Sequence, residues 1–121
     1  MSVKRCVEVM CILLKFGVDA MAHDKEGRTP LHTASYQRCV NVVHVLLEYG
    51  MNPAAQDWCW LTPLHLASYR GGIDVACILL DHGADASDKD KDRRTPLHLA
   101  SGERHVDITR VLLEYGADVT A

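Results

Sequence analysis

The chain has 121 residues, of which 48% are hydrophobic and 24% are charged, a composition typical of soluble globular proteins. Its net charge of −3 argues against a general nucleic-acid-binding protein, which is usually basic. The five cysteines show no paired spacing, so we expect a reducing compartment and no disulfide framework, and no apolar run approaches the ~18 residues of a membrane span.

The first segment, residues 1–23, predicts one helix from Val3 to Phe16. Two basic residues before an apolar stretch also loosely resemble a secretory signal. Glu8 and Lys15 interrupt that stretch, which a signal core seldom tolerates. The letters ILLKFGVDA also align with units further along the chain, so we favour a partial repeat.

The rest of the chain repeats itself with a period of 33 residues. The letters TPLH recur at 29–32, 62–65 and 95–98. The same spacing separates four glycines and three aspartates: Gly17, Gly50, Gly83 and Gly116, and Asp24, Asp57 and Asp90. A fixed period of this length indicates stacked supersecondary units.

Each unit predicts a pair of helices. In the first full unit Pro30 suits the first turn of a helix, and Thr29 can supply its capping oxygen. This helix is expected to end near residues 36–38. A second helix follows over about residues 40–49, and Gly50 ends it. The later units repeat the same signals at Thr62, Gly83, Thr95 and Gly116.

With these residues the chain resembles the ankyrin repeat family, whose 33-residue period and T-P-L-H-x-A signature it carries three times. The resemblance implies an all-α repeat fold, an ankyrin-type right-handed solenoid of stacked helix-turn-helix units with short β-hairpin fingers. It predicts one domain, 1–121, with a partial repeat at 1–23 and full repeats at 24–56, 57–89 and 90–121.

The chain keeps only some of the glycines that the family pattern places in its turns. Gly27 at the first finger and Gly71 between two helices agree with the pattern. Other residues stand at the equivalent positions of the remaining units: Trp60 and Arg93 in the fingers, Arg38 and Arg104 between the helices. These turns are therefore expected to be strained or of another type.

The sequence gives no sign of an enzyme, a metal site or a cofactor. The repeated histidines, His32, His65 and His98, cannot share a zinc ion because stacked helices lie ~8–10 Å apart and each ligand must come within ~2.1 Å. The resemblance implies that each closes a local hydrogen-bond network with Thr29, Thr62 or Thr95. No nucleophile–base pair or phosphate loop is present.

The resemblance also implies a binding surface on the fingers and the exposed side of the first helices. Its positions in the first full repeat are Lys25, Glu26, Arg28, Tyr36 and Gln37. In the second they are Trp58, Cys59, Leu61, Tyr69 and Arg70. In the third they are Lys91, Asp92, Arg94, Gly102 and Glu103.

The middle repeat combines the residue types that favour hot spots, tryptophan, tyrosine and arginine. We expect Trp58 to point outward as a recognition residue. Trp60 either joins it or folds over an adjacent finger to fill the space of the missing glycine. Residues 57–89 hold the chain's acidic excess, which suggests a partner with basic rim residues.

The sequence therefore predicts a non-catalytic protein-protein interaction module, a scaffold or adaptor that is intracellular, either cytoplasmic or nuclear. The alternative is a self-assembling or fragmentary segment of a longer array, whose open ends stack on other repeats or chains. A third hypothesis is a fragment of an enzyme whose catalytic domain lies outside these residues. No nucleic-acid or membrane partner is expected.

Overall fold

The computed structural model describes residues 25–116, which form three helix pairs. The first helices of the pairs are α1 (Pro30–Tyr36), α3 (Pro63–Arg70) and α5 (Pro96–Gly102). The second helices are α2 (Val40–Glu48), α4 (Ile73–Asp81) and α6 (Val106–Glu114). None of the helices within 25–116 is long and apolar enough to cross a membrane. The predicted helix from Val3 to Phe16 lies outside the described residues.

Each first helix begins at its Thr-Pro pair, as the sequence predicts. Thr62 lies in extended backbone and its hydroxyl accepts the backbone N–H of His65, while proline opens the helix. The His65 side chain in turn accepts the backbone N–H of Thr62, which completes a reciprocal cap. The same caps start the other two first helices at Thr29 and Thr95.

The helix pairs stack around one continuous apolar core. Leucines from the first and second helices alternate through it, and Ala34, Ala67 and Ala100 are fully buried where the first helices approach one another. The first helices pack against one another more extensively than the second helices do. This is the packing expected if the first helices line the inner, concave face of the stack.

The fingers are tight turns at residues 25–28, 57–61 and 90–94. In the second finger the buried carboxylate of Asp57 accepts the backbone N–H groups of Cys59 and Leu61, at 2.8 and 2.9 Å. Asp90 accepts two backbone N–H groups of the third finger in the same way. One backbone bond joins each finger to the next, and no strand is assigned within 25–116.

The turns that lack glycine keep the backbone of the turns that have it. Gly27 has φ 76°, and Trp60 and Arg93, its equivalents, have φ 64° and 62°. Between the helices Gly71 has φ 75°, and the equivalent arginines also lie in the left-handed region: Arg38 at 56° and Arg104 at 59°. This conformation costs a non-glycine residue ~1–2 kcal/mol, so the expected strain is confirmed.

Candidate protein-binding surface

Two of the repeated histidines tie each repeat to the next. Nε2 of His32 donates to the carbonyl of Leu61 at 2.7 Å, and Nε2 of His65 donates to the carbonyl of Arg94 at 2.9 Å. In both rings Nδ1 accepts the backbone N–H of the capping threonine. The imidazoles are therefore neutral, with the proton on Nε2. Each ring therefore holds the finger of the following repeat through a backbone carbonyl of that finger.

His98 has the same cap but a different environment. Its Nδ1 accepts the backbone N–H of Thr95 at 3.0 Å, as in the other repeats. The residue is exposed, however, and its Nε2 has no hydrogen-bond partner in the part of the chain that the structure describes. The three histidines are thus not equivalent, although the sequence alone suggested that they are.

Burial favours the neutral form of the internal histidine, His65. Desolvation lowers the pKa of His65 below its ordinary value of 6.5, and its bond to the Arg94 carbonyl offsets only part of this shift. Both ring nitrogens are already engaged in the cap and the inter-repeat bond. Among residues 25–116 no group of three or more His, Cys, Asp and Glu side chains could hold a metal ion.

The exposed aromatic side chains of the middle repeat lie on its finger and first helix. Trp58 is 61% exposed, Trp60 55% and Tyr69 44%. Trp58 does not simply project into solvent, because its indole lies against Gly27 of the preceding finger. The sequence offered such a contact as one of two alternatives for Trp60, and the structure shows one for Trp58. Trp58 is therefore exposed to solvent and also in contact with the preceding finger.

A second cluster forms around Tyr36 on the first helix of the preceding repeat. The guanidinium carbons of Arg70 and Arg28 lie 4.8 and 5.8 Å from the centre of its ring. Nε of Arg70 also donates to the Tyr36 carbonyl at 3.1 Å. The cluster brings together three residues that the sequence assigned to the binding surface, from two repeats and three different elements.

Two finger arginines, Arg28 and Arg94, are paired with carboxylates of their own or neighbouring fingers. Nε of Arg28 lies 3.2 Å from Glu26 and 3.7 Å from the buried Asp57. In the third finger Arg94 lies 2.9 Å from Asp90 and 3.4 Å from Asp92. Arg70 differs, because no carboxylate of the described residues lies within 4.0 Å of its guanidinium nitrogens.

The other predicted contact residues of the fingers are accessible, but they lie on separate fingers. Lys25 and Glu26 are exposed on the first finger, Cys59 is exposed and Leu61 half-buried on the second, and Arg94 is exposed on the third. The sequence missed His105, which stands where the other repeats have Cys39 and Gly72. Its Nε2 donates to the Tyr69 carbonyl at 3.0 Å, and its ring lies over Gly71.

Charge is segregated between the two halves of each repeat. Within residues 25–116 every lysine and arginine except Lys89 and Arg110 lies on a finger, a first helix or the turn that ends it. The second helices and the segments that follow them hold most of the carboxylates: Glu48, Asp74, Asp81, Asp85, Asp88, Asp107 and Glu114.

This distribution removes the basis for expecting a basic partner. Of the five aspartates in residues 57–89, only Asp57 belongs to a finger, and it is buried among backbone N–H groups. The other four lie on α4 and the segment after it. The acidic excess of this repeat is therefore on different elements from the predicted contact residues.

Stacked helix pairs joined by fingers, with capped Thr-Pro starts at a 33-residue interval, define a helical repeat protein. A family model described as ankyrin repeats (3 copies) matches residues 57–121, and a second, ankyrin repeats (many copies), matches residues 31–80. The first match alone covers more than half of the chain, which belongs to the ankyrin repeat family. No curated protein matches the sequence. Ankyrin repeats are generally non-catalytic modules that bind other proteins.

Proposed function

We propose that this chain is a scaffold or adaptor module that binds another protein through its concave surface, meaning the fingers and the first helices α1, α3 and α5. The observation that carries the proposal is the exposure of Trp58, Trp60 and Tyr69 together on the finger and first helix of one repeat. Tyr36 and Arg70, which contact each other, lie on first helices of the same surface. Tryptophan, tyrosine and arginine are the residue types that most often dominate binding energy.

Contacts with neighbouring residues already hold Trp58 and Arg70 in place, which favours tight binding. The indole of Trp58 rests on Gly27, and Arg70 is held by both the ring and the carbonyl of Tyr36. Ordering a mobile side chain on binding costs about 0.5–1.5 kcal/mol. Because these groups are already positioned, less of that cost remains when the partner arrives.

The experiment measures binding by Trp58→Ala and Tyr69→Ala variants to a partner recovered by affinity capture and then purified. Each substitution is expected to weaken binding by ~2 kcal/mol or more, while Glu48→Ala, an exposed position on α2, leaves it unchanged. Thermal unfolding of every variant separates loss of binding from loss of fold. Wild-type affinity in both aromatic variants would rule out the concave surface as the binding site.

A second candidate function is stacking of the third repeat on a further repeat or on another chain. His98 favours it, because its equivalents bond to the finger of the next repeat whereas its own Nε2 has no such bond within residues 25–116. Leu113 is also 43% exposed on α6. Light scattering over a range of protein concentrations tests this function. A mass that rises with concentration and falls again in Leu113→Lys supports it, and a constant monomer mass contradicts it.

The same proposal places the protein inside the cell, in the cytoplasm or nucleus. Cys59 and Cys77 are free thiols, and Cys59 is exposed on the middle finger. An exposed thiol persists best in a reducing compartment. Imaging of the fluorescently tagged full chain tests the placement, and a secreted product would contradict it.

A further inference from the structure

The position of Arg70 defines what it can still bind. Its Nε donates to the Tyr36 carbonyl, and its guanidinium plane lies over the Tyr36 ring. This leaves the two terminal Nη groups at the far end of the fork. At that end two N–H groups point in parallel, so each can donate a hydrogen bond to one of the two oxygens of a carboxylate. The residue is half-buried, so a charge pair formed there is screened less than one in open solvent.

The ion pairs of Arg28 and Arg94 explain why a new carboxylate would bind at Arg70 and not at these two arginines. Arg28 and Arg94 are already paired with carboxylates at 2.9–3.7 Å, so a new anion would have to displace an existing one. Arg70 has no such competitor among the described residues. Arg38, Arg93 and Arg104 also lack a carboxylate partner among the described residues, but Arg70 is the one of these arginines that a hydrogen bond and an aromatic ring hold in direction.

We propose that Arg70 binds the carboxylate of a glutamate or aspartate in an extended segment of a partner protein, whose flanking apolar residues cover Tyr69 and Trp58. The proposal rests on the proposed function and specifies the partner for that same surface. Charge complementarity supports it, since fingers and first helices hold most of the described cations while most carboxylates lie elsewhere. We therefore expect an acidic partner segment, whereas the acidic excess of residues 57–89 in the sequence suggested a partner with basic rim residues.

A peptide carboxylate fits the site better than a nucleic-acid phosphate. Arg28, which shares the Tyr36 ring with Arg70, is paired with carboxylates, and the chain carries a net charge of −3, whereas nucleic-acid surfaces combine many uncompensated cations. The exposed aromatics on the finger and first helix of the same repeat also suit apolar side chains that flank an acidic one.

The experiment selects peptides from a displayed library of random sequences on the full chain. The binders are expected to be enriched in glutamate or aspartate beside aromatic or aliphatic residues. In the best binder, replacing the acid by its amide should weaken binding about tenfold or more, and so should Arg70→Lys and Arg70→Gln. The two changes combined should cost no more than one alone, because they remove the same contact.

Arg110→Gln on the exposed side of α6 is the matched control, since it removes an arginine charge from a second helix. Thermal unfolding of each variant shows whether loss of the Tyr36 contact disturbs the fold, and Arg70→Lys keeps the charge while removing the fork.

The outcomes separate this inference from the proposed function. Peptides that need Trp58 and Tyr69 but bind Arg70→Gln as well as wild type would overturn the inference and leave the proposed function standing. Peptides indifferent to all three residues, or no peptide binder at all, would count against both. Full competition by a single-stranded DNA 20-mer would also overturn the inference, because the anion would then be a phosphate.

Discussion

The indole of Trp58 occupies the space where a side chain at Gly27 would begin. A β-carbon built on Gly27 would lie 2.6 Å from the indole nitrogen and 2.8 Å from Cγ of the ring. Real β-carbons do not approach other atoms so closely, so the glycine is required for two separate reasons. Its φ of 76° favours glycine, and the tryptophan of the next finger needs the room.

We predict that Gly27→Ala destabilises the protein more than Gly50→Ala does. Gly50 also has positive φ, at 86°, but no atom of residues 25–116 lies within 4 Å of the position of its missing β-carbon. Gly50→Ala should therefore cost only the ~1–2 kcal/mol of the left-handed backbone. Gly27→Ala should add the cost of displacing an indole, seen as a larger drop in the denaturation midpoint.

Fluorescence gives the structural control for this pair. In a Trp60→Phe background Trp58 is the remaining tryptophan, so its emission reports its contact with Gly27. The emission should shift in Gly27→Ala and stay the same in Gly50→Ala. Equal midpoints and equal spectra for the two variants would show that the indole does not rest on Gly27 in solution.

The second prediction separates the buried histidine from the exposed one. His65→Ala leaves the Arg94 carbonyl and the Thr62 N–H without their partner, which should lower the free energy of unfolding by ~1–3 kcal/mol. His98→Ala should cost ~1 kcal/mol or less, because His98 is exposed and, among the described residues, supports only its own helix cap. Chemical denaturation measures both values. Equal losses would mean that the inter-repeat bond adds nothing.

The third prediction concerns pH. Burial lowers the pKa of His65 below 6.5, so the unfolded chain takes up this proton more readily than the folded one. The neutral ring contributes its full stability above the unfolded pKa, and that contribution declines as the pH falls below 6.5. The wild type should therefore lose more stability between about pH 7.5 and pH 5.5 than His65→Gln, which has no ring to protonate. Identical slopes in the two proteins would contradict this assignment.

The fourth prediction is that Arg93→Gly stabilises the third finger. Arg93 is exposed with φ 62°, and glycine relieves this conformation at some cost in unfolded-state entropy. The balance should be a gain of ~0.5–1 kcal/mol, measured by chemical denaturation. Arg110→Gly, within the helical backbone of α6, should instead cost ~1 kcal/mol. A loss of stability in Arg93→Gly would mean that the arginine side chain itself supports the turn.

The helix pairs could be predicted because their boundaries are local. A Thr-Pro pair starts each first helix, and a glycine follows each second helix, so the limits of α1 came out as expected. The second helix was expected to reach Tyr49 but ends at Glu48, because Tyr49 serves as its cap. The left-handed turns at Trp60 and Arg93 were also predictable, since the repeat register compares them with Gly27.

The arrangement of the surface could not be predicted because it depends on contacts between repeats. Arg70 and Tyr36 are 34 residues apart and belong to different helices, so no local pattern joins them. Which tryptophan rests on Gly27 depends on the spacing and direction of two fingers. Charge counted along residues 57–89 mixes a finger, two helices and a connecting segment, and only the fold separates them.

The separation of cations on the fingers and first helices from carboxylates on the second helices gives each repeat an electric dipole. Because the repeats stack in register, these dipoles add along the array. The field of an approaching acidic partner exerts a torque on this dipole before contact, so the two molecules can meet in the binding orientation although the chain itself is at −3. The torque weakens beyond a Debye length of ~10 Å in 0.1 M salt, so the rate of productive encounters should fall as salt rises.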